Sequence, residues 1–488
     1  MALSSAIKWE IRSTATANNV NGGGFKTGAS GTDFSQQDAA QYALTGITTA
    51  AADAILLHAS AAANMVGNVI RITGGTNFIT GWYEIIGGVV GVSITLDRTC
   101  TTAAGVAGTA NVGGAMSLNS TLDDDLFEAA VAGQIYYIKA GTYTLGESVA
   151  SSISGGVSQP IIIEGYNATR GDTPTGTDRP LLSLAASNFG FQNNWVQKNL
   201  RFTGTATSLN TFSAACQIIN CSGVNKRTSA GTVFVYGVDS VAINCEAVSY
   251  LGLGIDLGNG AIGCYVHHCG TNGIDLPHAT NIATLMFNII ANCKTSAISN
   301  ITAQTGLAII SNNTLYGSED KYGIGMNLPT TATDKTFINN IIYGFVTGVA
   351  HADTQTIGYD NYNDYFNNTN DVSAAGQWQK GANDAAINPA FTNVTQILGT
   401  TGAFVAGGSK LVDTSKDFTA LGVTAGVDIV HIRSGSGVTE GMAGILSIST
   451  TTNPNDTLNL DINPGTNTTA DKAYSITMGH NYLPTGAI

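Results

Sequence analysis

Short stretches of alternating hydrophobic and polar residues, separated by turns rich in Gly and Asn, run through most of the chain. Between residues 241 and 280 one such pattern occurs twice, as Ala242-Ile243-Asn244-Cys245 with Gly254-Ile255-Asp256-Leu257 and as Ile262-Gly263-Cys264 with Gly273-Ile274-Asp275-Leu276. Equivalent residues of the two copies lie 19 positions apart. A repeat of about 20 residues built from short strands and tight corners predicts a β-solenoid whose coils stack on one another. Strand alternation points the isoleucines and leucines inward and both aspartates outward.

The pattern continues further along the chain with longer coils. Asn288 recurs as Asn313 and Asn340, steps of 25 and 27 residues, which predicts a ladder of equivalent asparagines. The longer steps indicate longer loops on one side of the solenoid. Residues 361–370 fit the last coils, and residues 386–391 resemble the tail segment that follows many such solenoids.

Two similar stretches lie on either side of the solenoid. Gly67 to Ile72 resembles Gly426 to Ile432, and each stretch closes on a strand with Thr, Leu and Asp, at residues 95–97 and 457–461. Period-two alternation with Gly-rich turns predicts compact antiparallel barrels or sandwiches. We therefore predict an extended arm over residues 1–50, a β module over 51–117, a parallel β-helix over 118–398 and a second, similar β module over 399–488.

The start of the solenoid carries a helix signal. Ser120 fits an N-cap, Asp123 to Asp125 fit the first turn, where carboxylates favour the helix dipole, and Leu126 and Phe127 begin an apolar face. A short helix here is expected to cap the open end of the core.

The residues after this helix carry a family resemblance. Val131 to Gln134, leading into Tyr137 to Tyr143 and then Pro160 to Tyr166, resembles the opening of pectate-lyase-like right-handed parallel β-helix proteins. Residues 21–25, 35–42 and 81–85 are similar to β-helix proteins encoded by environmental tailed phages, and this similarity covers most of the chain. The resemblance implies an all-β, right-handed parallel β-helix associated with a virion.

Charge and composition narrow the partners. The net charge is −13 and only 11% of residues are charged, so neither nucleic acid nor an anionic membrane is an expected partner. No apolar run approaches a membrane span, and residues 1–5 lack the features of a signal peptide, so we expect synthesis in a host cytoplasm and no ordinary secretion. The seven cysteines show no metal-ligand spacing, and we interpret them as reduced thiols in the core, with no metal or other cofactor.

The two outward aspartates are the candidate catalytic residues. On adjacent coils, Asp256 and Asp275 would lie about 5–6 Å apart, a spacing that suits a retaining glycosidase or two calcium ligands. We place Ser299, Gly325 and Ala350 at the next equivalent positions, so the acidic ladder is two coils deep, and a solvated polar ladder is the simpler interpretation.

Other candidate groups are weaker. Alternation would send His267 and His268 to opposite faces, so at most one of them, or His278, could join a site. The lyases evoked by the resemblance use a Lys or Arg base opposite acidic groups. Residues 241–300 contain a single basic residue, Lys294, with nothing acidic beside it, and Arg170, Arg179, Lys226 and Arg227 fit solvated loops.

Two functions remain open. The favoured one is a structural protein of a tailed-phage virion surface, on the head or tail. It would be a homotrimer that contacts the major capsid or tail proteins, with host or environmental glycans as further candidate partners. The alternative is a tailspike-type polysaccharide depolymerase, a glycosidase or lyase, that uses Asp256 and Asp275. Because the sequence offers few candidate catalytic residues, the structural protein is favoured. No carbohydrate-binding residues are predicted.

Overall fold

The computed structural model describes residues 3–16, 19–118, 123–145, 147–256, 258–275, 283–299, 308–328, 335–351, 359–373, 378–391, 395–405, 408–465 and 467–478. The protein is nearly all β, with 50% of residues in strands and 2% in helix. It contains a β-solenoid of about nine turns and six-stranded barrel modules, which confirms the predicted fold class. Ser120 and His278 lie outside the described residues.

The strands of residues 7–112 are β1 (Ile7–Ile11), β2 (Gly24–Lys26), β3 (Tyr42–Ile47), β4 (Ile55–Leu57), β5 (Val69–Phe78), β6 (Gly81–Val89), β7 (Ser93–Leu96) and β8 (Thr101–Val112). Helix α1 follows at Asp123–Glu128, and short 3₁₀ turns lie at Ala63–Met65 and Gly176–Asp178.

The strands of residues 135–249 are β9 (Ile135–Lys139), β10 (Thr142–Thr144), β11 (Val149–Ala150), β12 (Ile161–Tyr166), β13 (Leu181–Ser183), β14 (Phe189–Phe191), β15 (Trp195–Lys198), β16 (Arg201–Gly204), β17 (Ser208–Phe212), β18 (Gln217–Ile219), β19 (Ser222–Asn225), β20 (Thr232–Tyr236), β21 (Val241–Ile243) and β22 (Glu246–Ser249).

The strands of residues 255–372 are β23 (Ile255–Asp256), β24 (Gly260–Ile262), β25 (Tyr265–Cys269), β26 (Asn272–Asp275), β27 (Ala283–Met286), β28 (Ile289–Ala291), β29 (Ser296–Ser299), β30 (Ala308–Ser311), β31 (Thr314–Tyr316), β32 (Ile324–Leu328), β33 (Lys335–Ile338), β34 (Ile341–Tyr343), β35 (Thr347–His351), β36 (Tyr359–Asn361), β37 (Asp364–Phe366) and β38 (Asn370–Val372). The last six strands are β39 (Thr395–Phe404), β40 (Lys410–Val412), β41 (Ile429–Ser434), β42 (Gly441–Ser449), β43 (Thr457–Leu460) and β44 (Lys472–Met478).

The chain forms two compact units, unit 1 (Met1–Thr203 with Cys216–Cys221) and unit 2 (Gly204–Ala215 with Ser222–Ile488). In unit 1, β1 pairs antiparallel with β2 and parallel with β9, and β12, β15 and β18 continue the same sheet, here called sheet A. Strands β10, β13 and β16 form sheet B, and β11 and β14 form sheet C. Each coil thus passes from sheet A to sheet B to sheet C.

Helix α1 closes the core of unit 1, as its apolar face predicts. The ring of Phe127 lies 5.1 Å from that of Tyr136, 5.3 Å from Phe191 and 5.7 Å from Phe189. Leu126 and Phe127 are fully buried. Aromatic rings at these separations add edge-to-face attraction to the burial of apolar area.

Unit 2 repeats the same coil. Its sheet A contains β21, β24, β27, β30, β33 and β36, sheet B contains β19, β22, β25, β28, β31, β34 and β37, and sheet C contains β17, β20, β23, β26, β29, β32, β35 and β38. One inward row, no more than 1% exposed, is formed by Ala242, Ala261, Leu285, Ile310 and Phe337. Ile243 pairs with Ile262, and Cys245 and Cys264 are buried as reduced thiols, so the predicted 19-residue register is confirmed.

The predicted asparagine ladder is present and has one more member. The main-chain N–H of Asn288 donates to Oδ1 of Asn313 at 3.0 Å, and that of Asn313 donates to Oδ1 of Asn340 at 3.0 Å. Asn363 continues the ladder, accepting from the N–H of Asn340 at 2.8 Å. Each buried side-chain amide thereby accepts the hydrogen bond of a main-chain N–H at the corner, where strand pairing supplies no acceptor.

The two β modules have the same strand order. In chain order, the strands of each module lie first, sixth, third, fourth, fifth and second: β3-β8-β5-β6-β7-β4 and β39-β44-β41-β42-β43-β40. The second sheet closes into a barrel, and in the first a bridge between Thr48 and Leu57 joins the outer strands. Oδ1 of Asp97 accepts from the N–H of Glu84 at 3.0 Å, and Oδ1 of Asp461 accepts from that of Gly444 at 2.8 Å. The shared Thr-Leu-Asp pattern therefore marks an equivalent turn, while the boundaries predicted for the four domains stay a prediction.

Candidate functional site

The two predicted aspartates lie side by side on sheet C. Strands β23 and β26 pair in parallel register with Asp256 opposite Asp275, and Ser299 follows on the next coil. Both carboxylates point outward and are half-buried. Because neighbouring strands are about 4.8 Å apart, the two side chains can act on one bound group.

Asp275 forms two hydrogen bonds with neighbouring side chains, whereas a solvated carboxylate would be hydrated by water. Its Oδ1 accepts hydrogen bonds from Ser299 Oγ and, at 3.2 Å, from Asn272 Nδ2. Burial raises the pKa of Asp275 above its usual range, and the two hydrogen bonds only partly oppose that effect. A carboxyl with a raised pKa beside a second carboxylate is the pairing that an acid catalyst and its partner need.

The continuation of this ladder differs from the prediction. Ile298 pairs with Met326, so the residue after Ser299 in the row is Asn327, and Asn327 pairs with Ala350. The predicted Gly325 is therefore wrong by two residues, because this coil takes 28 residues and the repeat alone does not reveal its length. Asn327 extends the polar row. The outward side of sheet C, here called face C, therefore carries four polar side chains on successive coils: Asp256, Asp275, Ser299 and Asn327.

The histidine prediction is also wrong. The register of β25 shifts between His267, opposite Val248, and Cys269, opposite Ser249, and His268 has a φ of 51°. This bulge breaks the alternation, so both rings are buried and their Nδ1 atoms lie 2.8 Å apart. Nε2 of His267 lies 3.2 Å from Oε1 of Glu246. A carboxylate, two imidazoles and their hydrogen bonds thus form one chain of polar groups.

Glu246 lines a cleft between sheet B and the C-terminal barrel. The cleft has a volume of about 390 Å³, and its lining includes Lys226, Glu246, His267, Tyr250 and Asp461. On its barrel side, Oδ2 of Asp461 accepts from Lys226 Nζ at 2.6 Å and from Tyr250 Oη at 2.7 Å. These contacts tie the barrel to the coils, so they hold the two parts together rather than leave groups for chemistry.

Most of the basic residues that were expected to be solvated are instead paired with a carboxylate or buried. Lys294, expected to lack an acidic neighbour, pairs at 2.8 Å with Glu440, which the chain brings back from the barrel. In unit 1, Arg170 and Arg179 do lie in loops, but Arg170 pairs with Glu10 at 2.8 Å and Arg179 is buried, so the expectation that both are solvated is wrong. Distant partners, which local sequence cannot reveal, account for each error.

A second surface feature was not predicted from the sequence. The corner before each ladder residue has a left-handed φ, between 52° and 65° in unit 2, at Asn244, Gly263, Phe287, Asn312, Asn339 and Tyr362. Gly and Asn adopt this conformation at little cost, whereas bulky aromatic residues rarely do. Phe287 is nevertheless 59% exposed there, and Tyr362 is 53% exposed. The signal in the sequence was the residue before each ladder asparagine.

These corners border a groove, here called the corner groove. It has a volume of about 370 Å³ and is lined by Asn312, Asn313, Thr314, Asn339, Asn340, Ile341 and Tyr362. Asn312 and Asn339 are exposed, and Phe287 occupies the corner of the coil before Asn312. Two aromatic side chains, about 14 Å apart by the strand spacing, thus flank two exposed amides.

The described residues contain neither a candidate metal cluster nor a candidate membrane-spanning helix. Within the described ranges, no three His, Cys, Asp or Glu side chains gather in a way that could hold a metal ion. None of the described helical segments has the length and apolarity needed to cross a bilayer.

No protein-family model and no curated protein matches the sequence. The structure is similar to pectate lyase Pel9A (TM-score 0.35, 14% identity, 57% of this chain and 78% of the lyase). It is also similar to an alginate lyase from Paenibacillus sp. strain FPU-7 (TM-score 0.35, 15% identity, 54% and 96%) and to a mutant tailspike protein of E. coli bacteriophage HK620 in complex with a pentasaccharide (TM-score 0.29, 11% identity, 72% and 86%).

At these levels of identity and TM-score, the likenesses concern the fold and do not identify an activity. The β-solenoid of about nine turns matches the pectate-lyase-like parallel β-helix that the sequence resemblance implies.

Proposed function

We propose that the protein is a tail-associated structural protein of a phage virion, a homotrimeric β-helix that binds a surface glycan in the corner groove without cleaving it. The single observation that carries the glycan-binding part is the exposure of Phe287 and Tyr362 in left-handed corners on either side of Asn312 and Asn339. The resemblance of residues 21–25, 35–42 and 81–85 to β-helix proteins of tailed phages supports the virion part.

The chemistry of the groove fits a saccharide. Exposing an aromatic ring is unfavourable, and holding it at positive φ adds strain, so two such residues on one groove indicate a function for the rings. The apolar faces of sugar rings can lie on aromatic rings, where both lose contact with water. Side-chain amides donate and accept at the same time, which matches the paired hydroxyls of a sugar. The acidic net charge favours a neutral or amino-bearing glycan over a polyanionic one.

The test is binding of purified host surface polysaccharide, measured by calorimetry. Tyr362→Ala and Phe287→Ala should each weaken binding at least about tenfold, a loss of about 1.4 kcal/mol. Tyr359→Ala is the matched control, since Tyr359 is also 53% exposed but lies on a strand of sheet A and not in a left-handed corner beside the groove. Unchanged affinity in both groove variants would reject the corner groove as the glycan site.

A second candidate function is depolymerisation at Asp256 and Asp275. The raised pKa of Asp275 and its register with Asp256 favour it. In this scheme protonated Asp275 donates a proton to the glycosidic oxygen while Asp256 attacks the sugar carbon, as in retaining glycosidases. Release of reducing ends by the wild-type protein would support this enzyme over the structural protein.

The partners proposed for the assembly are two further copies of the chain and the capsid or tail proteins of the virion, contacted through the N-terminal arm and β module. Locating the chain in purified particles by mass spectrometry and cryo-EM tests the virion role. Particles without the chain would reject that role and leave the glycan-binding proposal to its own test.

A further inference from the structure

The outward sides of sheets A, B and C in unit 2, called faces A, B and C, differ in the chemistry of their side chains. On face B, the aromatic residues Tyr316 and Tyr343 pack against Phe391 of the tail segment. Further along the same face, Val248 and Tyr250 pack against Ile429 and Met442 of the barrel. Face B is therefore covered by later parts of the same chain.

Face C is polar. Its outward positions include Asn272, Asp275, Ser299 and Asn327, which bond to one another or face solvent. Two carboxylates on adjacent coils would repel the same carboxylates of another copy of the chain. Face C is thus poorly suited to self-association.

Face A is apolar and is not covered by any described part of unit 2. The outward rows of β21, β24, β27, β30 and β33 are Val241, Gly260, Thr284, Ile309, Thr336 and, beside them, Ile243, Ile262, Met286, Ser311, Ile338. Most of these side chains are half-buried, and none is charged. Parallel strands in register make the surface flat and repetitive.

The absence of charge on face A distinguishes among possible partners. A glycan is recognised through hydrogen-bonding groups, which these rows offer only at two threonines and one serine. A different protein partner of a chain with net charge −13 would be expected to bring complementary basic groups, which have no acidic counterpart here. A second copy of the same acidic chain, in contrast, can approach closely only through a surface without acidic residues.

The residue types agree with that conclusion. The centres of protein interfaces are depleted in charged residues and enriched in methionine, and homodimer interfaces are more apolar than other interfaces. Five aliphatic residues and Met286 occupy the two rows. Closed symmetric assemblies bring equivalent surfaces close to one axis, where a flat, repetitive apolar surface packs well.

We infer that face A of the unit 2 coils is the surface through which copies of the chain associate around a symmetry axis. This inference rests on the proposed homotrimer and adds the interface that forms it. Ile309 lies on β30. Thr336, which is paired with Ile309, and Ile338 lie on the next strand of the face, β33.

The test is sedimentation velocity of the full chain at micromolar concentration. Wild type is expected to sediment as a trimer, and Ile309→Asp as a monomer, with the dissociation constant raised on the order of a hundredfold because a carboxylate would be buried without a partner. Thr336→Asp is a milder variant that removes no buried apolar side chain. Ala350→Asp, half-buried on face C, is the matched control and should remain a trimer.

The possible outcomes separate the surface from the oligomer itself. A monomeric wild type would overturn both the homotrimer and face A as its interface. A trimeric wild type whose Ile309→Asp and Thr336→Asp variants stay trimeric would overturn face A alone. If circular dichroism shows that Ile309→Asp has not folded, Thr336→Asp decides: dissociation supports face A, and a persistent trimer rejects it.

Discussion

The carboxylate of Asp384 accepts a hydrogen bond from the main-chain N–H of Asn363 at 2.8 Å, in the place where the preceding coils of the ladder use the amide oxygen of an asparagine. Asn288, Asn313 and Asn340 each donate their side-chain N–H to the next member of the ladder, at 2.9 to 3.0 Å. A carboxylate has no N–H to donate, so Asp384 ends the ladder. Asp384, two residues before the tail segment, thereby closes the last corner of the solenoid.

The ladder leads to a first prediction, on stability. Asn340→Ala should lower the free energy of unfolding by about 2–4 kcal/mol, because Asn340 accepts from Asn313 and donates to Asn363 and to the carbonyl of Ile310 in a site 1% exposed. Asn339→Ala is the control: it is exposed, and its cost of about 1–2 kcal/mol comes from the left-handed corner alone. Urea denaturation measures both. A loss in Asn340→Ala no larger than that in Asn339→Ala would contradict the proposed strength of the amide ladder.

A second prediction concerns pH. Asp360 follows Phe337 in the inward row, and its Oδ2 accepts from Trp378 Nε1 and, at 3.0 Å, from Tyr365 Oη. Burial, with the nearby charge of Asp384, raises the pKa of Asp360 to about 7. The folded state therefore keeps a proton that the unfolded chain releases near pH 4, so stability should fall as pH rises from about 4 to about 7, by roughly 2–4 kcal/mol.

Asp360→Asn should abolish that fall and make the protein more stable than wild type at pH 8. Thermal unfolding at pH 5 and pH 8 gives the comparison. Asp371→Asn serves as the control, because Asp371 forms an exposed pair with Lys380 at 2.8 Å and should leave the pH dependence intact. A wild-type melting temperature that rises between pH 5 and pH 7 would contradict the proposed protonation.

A third prediction separates the two functions at Asp275. Burial already favours the neutral form of this carboxyl, so Asp275→Asn should be as stable as wild type or slightly more stable at pH 7. We expect no release of reducing ends from host surface polysaccharide by either protein. Activity in wild type that disappears in Asp275→Asn, with an unchanged melting temperature, would establish the depolymerase instead.

A fourth prediction concerns the attachment of the barrel. Asp461 is 7% exposed and holds Lys226, Tyr250 and the N–H of Gly444, so Asp461→Ala should destabilise the protein by about 2–4 kcal/mol. Glu440→Ala breaks the more exposed pair with Lys294 and should change stability by less than about 1 kcal/mol. Chemical denaturation together with limited proteolysis after residue 391 measures both effects. Similar values for the two variants would mean that the barrel is held by its apolar contacts.

The part of this structure that sequence could predict follows from local spacing. Asp256 and Asp275 are correctly placed in one row because the cysteines and the aspartates of the two copies both lie 19 residues apart. Asn288, Asn313 and Asn340 were found in the same way, since a buried amide recurs wherever the corner recurs. Matching Thr-Leu-Asp strands likewise indicated the two modules with equivalent strand order.

The remainder depends on interactions that spacing does not encode. The bulge at His268 has no local signal, since two adjacent histidines are compatible with a regular strand. The partners of Lys226 and Lys294 come from the barrel, more than a hundred residues later in the chain. The aromatic corners at Phe287 and Tyr362 were visible in the sequence, but their meaning depends on which neighbours share the groove.

Coil length and strand register are independent of each other in this protein. The step from Asp256 to Asp275 takes 19 residues and that from Ile298 to Met326 takes 28, yet both pairs stand directly opposite each other on neighbouring strands. Strands β29 and β30 are separated by eight residues, against three between β23 and β24, and β31 and β32 by seven, against two between β25 and β26. Insertions between sheets C and A and between sheets B and C can therefore accumulate over evolution without shifting the scaffold, and close relatives should differ mainly by length polymorphism at those two edges.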